Sequence, residues 1–207
     1  IRGAYNKMLH LDSMERLRGV IAASAGNHGQ GVSLAAKKLK IRSTIVMPRT
    51  TPSVKVESVK RLGSDVMLHG DSYSDAFEEA NKIAILTKKQ LIHPFDDMHV
   101  IAGQGTIGME IIRQMSEPID AIFIAVGGGG LISGIGCYIK SIRPEIKIIG
   151  VQTTDSDAMI RSIENGKRIK LKHVGIFSDG TAVKQVGSET FKLAKIVVDD
   201  FCIVNAD

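Results

Sequence analysis

Two short clusters have the residue types that hold anions. Gly127-Gly-Gly-Gly130 follows a β-branched, charge-free run, Ile122 to Val126, and precedes Leu131 to Ile142, where Leu131, Ile135, Tyr138, Ile139 and Ile142 recur at helical spacing. The run reads as a buried parallel strand. Glycines at such a strand-to-helix turn let backbone N–H groups approach an anion closely, and the helix N-terminus adds a favourable dipole. The layout is that of a phosphate cradle; a turn that only permits close packing is the alternative. The second cluster, Ser24-Ala-Gly-Asn-His-Gly-Gln30, joins the strand Gly19 to Ala23 to a helix. Its small residues expose backbone N–H groups, and Ser24, Asn27, His28 and Gln30 add side-chain donors, which suits a carboxylate or a ring hydroxyl. A helix cap by Ser24 or Asn27 with a tight turn is the competing reading.

A nucleotide is disfavoured as the phosphate ligand. No frame of Gly127 to Gly134 supplies glycines at i, i+2 and i+5, and Gln152, rather than an acidic residue, follows the next strand, Ile146 to Val151. A Gly-Lys-Ser/Thr loop is absent, so a smaller phosphate ester is preferred. The net charge of +5 suits an acidic small molecule, yet the lysines are scattered and aromatics make up only 4%, which argues against nucleic acid. No apolar stretch reaches the roughly 18 residues of a membrane span. Cys137 and Cys202 lie far apart without a CxxC and read as reduced core residues of an intracellular protein. His10, His69, His93, His99 and His173 show no metal-ligand spacing, so no metal is expected.

The elements that must position these clusters follow an α/β rhythm. Helices are predicted over 4–17, 29–39, 52–62, 72–88, 105–115 and 131–142, and strands over 19–23, 43–47, 65–69, 91–92, 122–126, 146–151 and 201–204. Strands alternating with helices of this length imply parallel βαβ units. Residues 93–105 lack a clear period and are expected to cross between two α/β domains. The chain opens at Ile1 and stops at Asp207, where Asn205 or Asp207 could cap a further helix, and is expected to be a fragment.

With these residues in view, the chain resembles the threonine dehydratase (threonine ammonia-lyase) family of fold-type-II pyridoxal-phosphate enzymes, most closely its biosynthetic type. The resemblance rests on Ser24 to Gln30 and Gly127 to Leu131. It extends through Ile1-Arg-Gly-Ala-Tyr-Asn6, Val46-Met-Pro48, Phe95-Asp96-Asp97, Val100-Ile-Ala-Gly-Gln-Gly-Thr106, Gly175 to Lys184 and Gly187-Ser-Glu-Thr-Phe191. It implies two parallel-sheet α/β domains of the tryptophan synthase β-like architecture, incomplete at both ends: a small domain over 20–98, and a large cofactor-binding domain from 1–19 and 99–207.

Carried onto this sequence, the resemblance implies that Gly127, Gly128, Gly129, Gly130 and Leu131 hold the phosphate of pyridoxal 5'-phosphate. It has Asn27 bond the ring's 3′-oxygen, and Ser24, Ala25, Gly26 and His28 form the substrate loop. The implied reaction is α,β-elimination of L-threonine, and of L-serine, to a 2-oxo acid and ammonia, feeding isoleucine biosynthesis. The family's Schiff-base lysine sits in Phe-Lys-Ile/Leu-Arg-Gly-Ala, which places it immediately before Ile1, so residues 1–207 alone are expected to be inactive. Ala25 stands where the related racemases carry a second serine, and Gln152 and Ala158 stand where their cation-binding carboxylates would fall. A serine dehydratase or racemase and a catalytically silent paralogue are the alternatives. The family further implies a homo-oligomer, commonly a tetramer, in the cytoplasm, or in an organelle if a transit peptide precedes the chain.

Overall fold

The computed structural model describes residues 1–175 and 178–205, which form two compact units, Ile1–Pro94 and Phe95–Asp207. Ile176 and Phe177, inside the Gly175 to Lys184 stretch, and Asp207, a candidate helix cap, lie outside the described residues.

The first unit contains α1 (Arg2–Leu9), α2 (Ser13–Arg18), β1 (Val20–Ala23), α3 (Asn27–Leu39), β2 (Ser43–Met47), α4 (Ser53–Arg61), β3 (Asp65–Leu68), α5 (Tyr73–Thr87) and β4 (Gln90–Leu91). Its parallel sheet has the order β3-β2-β1-β4, with Val20 aligned to Ser43 on one side and to Gln90 on the other. Every residue of β1 and β2 is buried, as helices on both faces demand. Val20, Ala22, Ile45 and Met47 pack with Ala35 and Ala36 of α3, while Ile21, Ala23 and Val46 pack with Ala76 and Ala80 of α5. From β1 the chain steps to β2 on one side, whereas from β3 it returns to β4 on the other side of β1, so the order reverses beside β1.

One expectation changes here. The single helix expected over 4–17 is split, because Asp12 accepts from the Glu15 N–H and Glu15 reaches back to the Asp12 N–H, a capping box that starts a new helix. The compact units divide after Pro94, and residues 1–19 cluster in the first, where α1 packs on α3.

The second unit contains α6 (Met98–Gln114), β5 (Ala121–Ala125), α7 (Gly130–Ile142), β6 (Lys147–Thr153), α8 (Ala158–Glu164), α9 (Ser188–Val197) and β7 (Asp200–Val204). The sheet is parallel in the order β5-β6-β7, with Ile122 beside Ile148 and Val151 beside Cys202. Its core joins Ile124, Ile132, Ile135, Ile139, Ile148, Met159 and Ala194.

Residues 98–104, expected to be irregular, are the first turns of α6. Asp97 caps that helix by accepting from the N–H groups of His99 and Val100. Gly103, Gly105 and Gly108 hid the apolar period. Gly105 and Gly108 form a small-residue face against α7, where a Cβ on Gly105 would sit 3.1 Å from the Gly134 carbonyl oxygen. The run Ile122 to Val126 is not uniformly buried: β5 is an edge strand, Phe123 is 67% exposed, and within β5 only Ile124 is buried. Cys137 and Cys202 are free and half-buried rather than core residues. Gln152, expected just after a strand, lies within β6, and α8 and α9 had no counterpart in the sequence reading. Among the described residues no helix is long and apolar enough to cross a membrane.

Candidate functional site

In the second unit, β5 runs into Gly127–Gly130 and then α7, the strand–turn–helix order expected for an anion cradle. The loop is held from behind by its carbonyls. The Val126 carbonyl accepts from Nε2 of Gln152 at 3.0 Å, and the Gly128 carbonyl accepts from Oγ1 of Thr190 at 2.6 Å and from the Gly187 N–H at 3.3 Å. Across a trans peptide, C=O and the following N–H point in opposite directions. With no cis bonds among the described residues, fixing these two oxygens turns the Gly127 and Gly129 N–H groups away from the protein that holds them. Among the described residues, no acceptor takes the N–H groups of Gly127, Gly128, Gly129, Gly130 or Leu131, and α7 has no side-chain cap.

Packing requires glycine here independently of any ligand. Gly129 has φ +96°, a left-handed conformation that side chains disfavour, and a Cβ there would lie 2.6 Å from Cε of Met159. A Cβ on Gly128 would overlap the Phe95 ring, and one on Gly130 would sit 2.9 Å from Cβ of Phe95. Close packing is therefore compatible with an anion cradle: the glycines let the protein press against the loop while no described acceptor takes its five N–H groups. This arrangement fits a phosphate group.

A buried polar frame supports the loop. Gln152 is 3% exposed, and its Oε1 accepts from the N–H groups of Met159 and Ile160 at the start of α8. The carboxylate of Asp96 accepts from the N–H groups of Ser188, Glu189 and Thr190, supplying the cap that α9 lacks from its own sequence. Oγ of Ser133 donates to the Thr190 carbonyl, tying α7 to α9. Sequence reasoning missed Thr190, Ser133 and the roles of Asp96 and Gln152. The only advance signals were the polar residues of the Phe95-Asp96-Asp97 and Gly187 to Phe191 stretches.

In the first unit the Ser24 to Gln30 loop leaves the carboxyl end of β1, beside the point where strand order reverses. The N–H of Ser24 bonds to the Val46 carbonyl, and its Oγ accepts from the Gly26 N–H at 3.1 Å. Helix α3 starts at Asn27 without a side-chain cap, so neither Ser24 nor Asn27 serves as the cap that was the competing reading. Asn27 is exposed, and its side-chain amide has no hydrogen-bond partner among the described residues. Ala25 and Gly26 are half-buried beside it.

His28 behaves differently from its neighbours. Its Nε2 lies 2.9 Å from the Ile92 carbonyl oxygen, which can only accept, so the ring carries its proton on Nε2. Burial holds its pKa down at about 4, against the opposing pull of that carbonyl, so the imidazole is neutral at pH 7. Its side chain ties the loop to the end of β4, where His93 meets Phe77 edge-on and Phe77 stacks on Tyr73. The structure thus brings Ser24, Ala25, Gly26, Asn27 and His28 together in one unit, and Gly127 to Leu131 together in the other. It commits the His28 Nε2 proton to Ile92.

Parallel α/β units carrying a glycine cradle and a small polar loop define a class of proteins built to hold small anionic ligands. A family model described as pyridoxal-phosphate dependent enzyme matches residues 1–207, and the chain belongs to that family. It is 53% identical to a mitochondrial threonine dehydratase of Schizosaccharomyces pombe, over all of this chain and 35% of that protein. It is 52% identical to the biosynthetic L-threonine dehydratase IlvA of Burkholderia multivorans, over all of this chain and 41% of that protein. Among solved structures, the processed form of threonine deaminase isoform 2 from Solanum lycopersicum superposes with a TM-score of 0.96 at 46% identity, covering 99% of this chain and 59% of that one. Maize serine racemase superposes with a TM-score of 0.94 at 35% identity, covering 99% and 61%. The parallel architecture expected from the sequence is therefore that of fold-type-II enzymes, and the chain spans well under half the length of these two curated relatives.

Proposed function

We propose that this chain is the catalytic part of a biosynthetic-type threonine dehydratase, a lyase that converts L-threonine to 2-oxobutanoate and ammonia and accepts L-serine as a second substrate. The observation that carries the reading is the cradle: five N–H groups at a helix start that no described acceptor takes, on a chain about half identical throughout to proteins of that name. Gly127, Gly128, Gly129, Gly130 and Leu131 would hold the cofactor phosphate through their N–H groups. Bound there, pyridoxal phosphate supplies an electron sink that acidifies the α-proton of an amino acid.

The remaining tasks fall to the chain's own groups. Asn27, whose amide has no partner among the described residues, would donate to the cofactor's ring oxygen. Ser24, Ala25, Gly26 and His28 would receive the substrate carboxylate, His28 through its backbone because its ring is committed to Ile92. The methyl of Ala25 cannot carry a proton, which favours elimination over racemisation. A lysine immediately before Ile1 would serve as the base. A Cβ on Gly31 of α3 would lie 3.2 Å from the Ile1 nitrogen, so a residue attached there starts one turn beyond Asn27. The same reading takes the full-length protein to be a homo-oligomer, commonly a tetramer, in the cytoplasm or in an organelle, as the mitochondrial and chloroplastic names of relatives allow. A cation requirement at Gln152 and Ala158 is not part of it.

The test is made on the full-length protein. Borohydride reduction, digestion and mass analysis should find a pyridoxyl group on a lysine directly before Ile1-Arg2, and the untreated protein should release 2-oxobutanoate from threonine. Residues 1–207 alone should show no turnover. A protein that takes up no pyridoxyl label, or whose preceding residue is not lysine, returns the reading to a silent paralogue.

A further inference from the structure

We propose that Gln152 is a positioning residue that aims the Gly127 N–H into the phosphate cradle. This rests on the cofactor reading above and deepens it. Gln152 lies near the end of β6, 3% exposed, and touches none of the five glycine-loop N–H groups. Its carboxamide instead spends its full hydrogen-bonding capacity on backbone. Nε2 donates to the carbonyls of Val126 and Ser156, both at 3.0 Å, while Oε1 accepts from the N–H groups of Met159 at 3.1 Å and Ile160 at 3.0 Å.

The bond to Val126 has a directional consequence. Val126 is the residue before the cradle, and its own N–H is fixed to the Val151 carbonyl at 2.9 Å. With its oxygen fixed by Gln152 as well, the peptide joining Val126 to Gly127 cannot rotate, and planarity forces the Gly127 N–H to the opposite side. Without that bond, glycine's wide conformational range would let this peptide turn over. The bonds from α8 act on the same loop by a second route. Met159, held through its N–H, is the residue whose Cε lies 2.6 Å from where a Cβ on Gly129 would stand, so the first turn of α8 backs the left-handed glycine. One amide therefore sets the peptide that enters the cradle and anchors the turn packed behind Gly129, without contacting the ligand.

Two substitutions separate this role from packing. Gln152→Met keeps the length of the side chain and loses all four bonds. Gln152→Glu keeps the acceptor for Met159 and Ile160 but faces two carbonyl oxygens with an oxygen in place of the NH2. The measurement, on full-length apo-protein, is the equilibrium affinity for pyridoxal phosphate and for pyridoxal, which lacks the phosphate. The wild type should prefer the phosphorylated aldehyde, and both variants should lose on the order of tenfold of that preference, with pyridoxal affinity little changed. If Gln152→Met fails to fold, Gln152→Glu decides alone. An unchanged preference, or an equal loss for both aldehydes, overturns the proposal. A wild-type protein that binds neither aldehyde brings down the cofactor reading itself.

Discussion

Thr190 donates its Oγ1 proton to the carbonyl of Gly128 at 2.6 Å, while its own N–H is held by Asp96 and its own carbonyl by Ser133. Every polar group of this fully buried threonine is thus used, and the one that reaches the glycine loop sets the peptide between Gly128 and Gly129. Thr190→Val keeps the shape and removes the hydroxyl, leaving the Gly128 carbonyl with only the long bond from Gly187. The variant should be destabilised by about 1–2 kcal/mol and bind pyridoxal phosphate more weakly, whereas Thr190→Ser should keep most of both. Urea unfolding and cofactor titration of the full-length protein check this; wild-type affinity in the valine variant contradicts it.

Gly128→Ala should damage the loop through Phe95 rather than through backbone strain. The added methyl would overlap the Phe95 ring. Forcing an extra methylene into a packed core costs about 1–3 kcal/mol. If the ring is the cause, adding Phe95→Leu should return part of the lost melting temperature; a double variant no better than Gly128→Ala rules that cause out.

Acid should weaken the first unit through His28. Its pKa is about 4 in the folded chain and 6.5 in the unfolded one, so between these values the unfolded chain binds more protons. The stabilising contribution is complete above pH 6.5, is lost as the pH falls toward 4, and changes little below that. The span corresponds to at most roughly 3 kcal/mol. Because carboxylates titrate in the same range, the informative quantity is a difference. Unfolding free energies of wild type and His28→Gln, compared at pH 7 and pH 4.5, should show a shallower loss in the variant; parallel losses would mean that His28 is not the group responsible.

Asp96 should prove a long-range helix cap. Asp96→Ala strips the N–H groups of Ser188, Glu189 and Thr190 of their carboxylate. A lost cap costs about 1–2 kcal/mol. Hydrogen exchange should quicken first in the opening turn of α9, with Asp96→Asn intermediate. Uniform quickening across the unit would point to a general loss of packing instead.

Much of this protein is written locally. The apolar runs around Val20, Ile45 and Ile124 specify strands because buried parallel strands need little beyond β-branched, uncharged residues. The tetraglycine turn declares itself because few other sequences can bring several N–H groups so near an anion. Periodic helices such as 131–142 are legible for the same local reason. The opening of α6 was not, because its glycines erase the apolar period and acquire meaning only against Gly134 of α7. Nor was the exposure of Phe123, which depends on β5 standing at a sheet edge.

The sequence by itself thus determined the α/β class, the two loops and the family they resemble, since each is a matter of residue type and short spacing. Only the tertiary structure decided how the cradle is held open. Asp96 reaches α9 across 92 to 94 residues, Thr190 reaches Gly128 across 62, and Gln152 reaches Val126 across 26. It also turned the His28 imidazole from a candidate ligand group into a tie to Ile92, 64 residues away. The physical reason is common to all four. A buried polar group must find a partner wherever folding brings one, and no local pattern along the chain encodes which distant backbone atom that is.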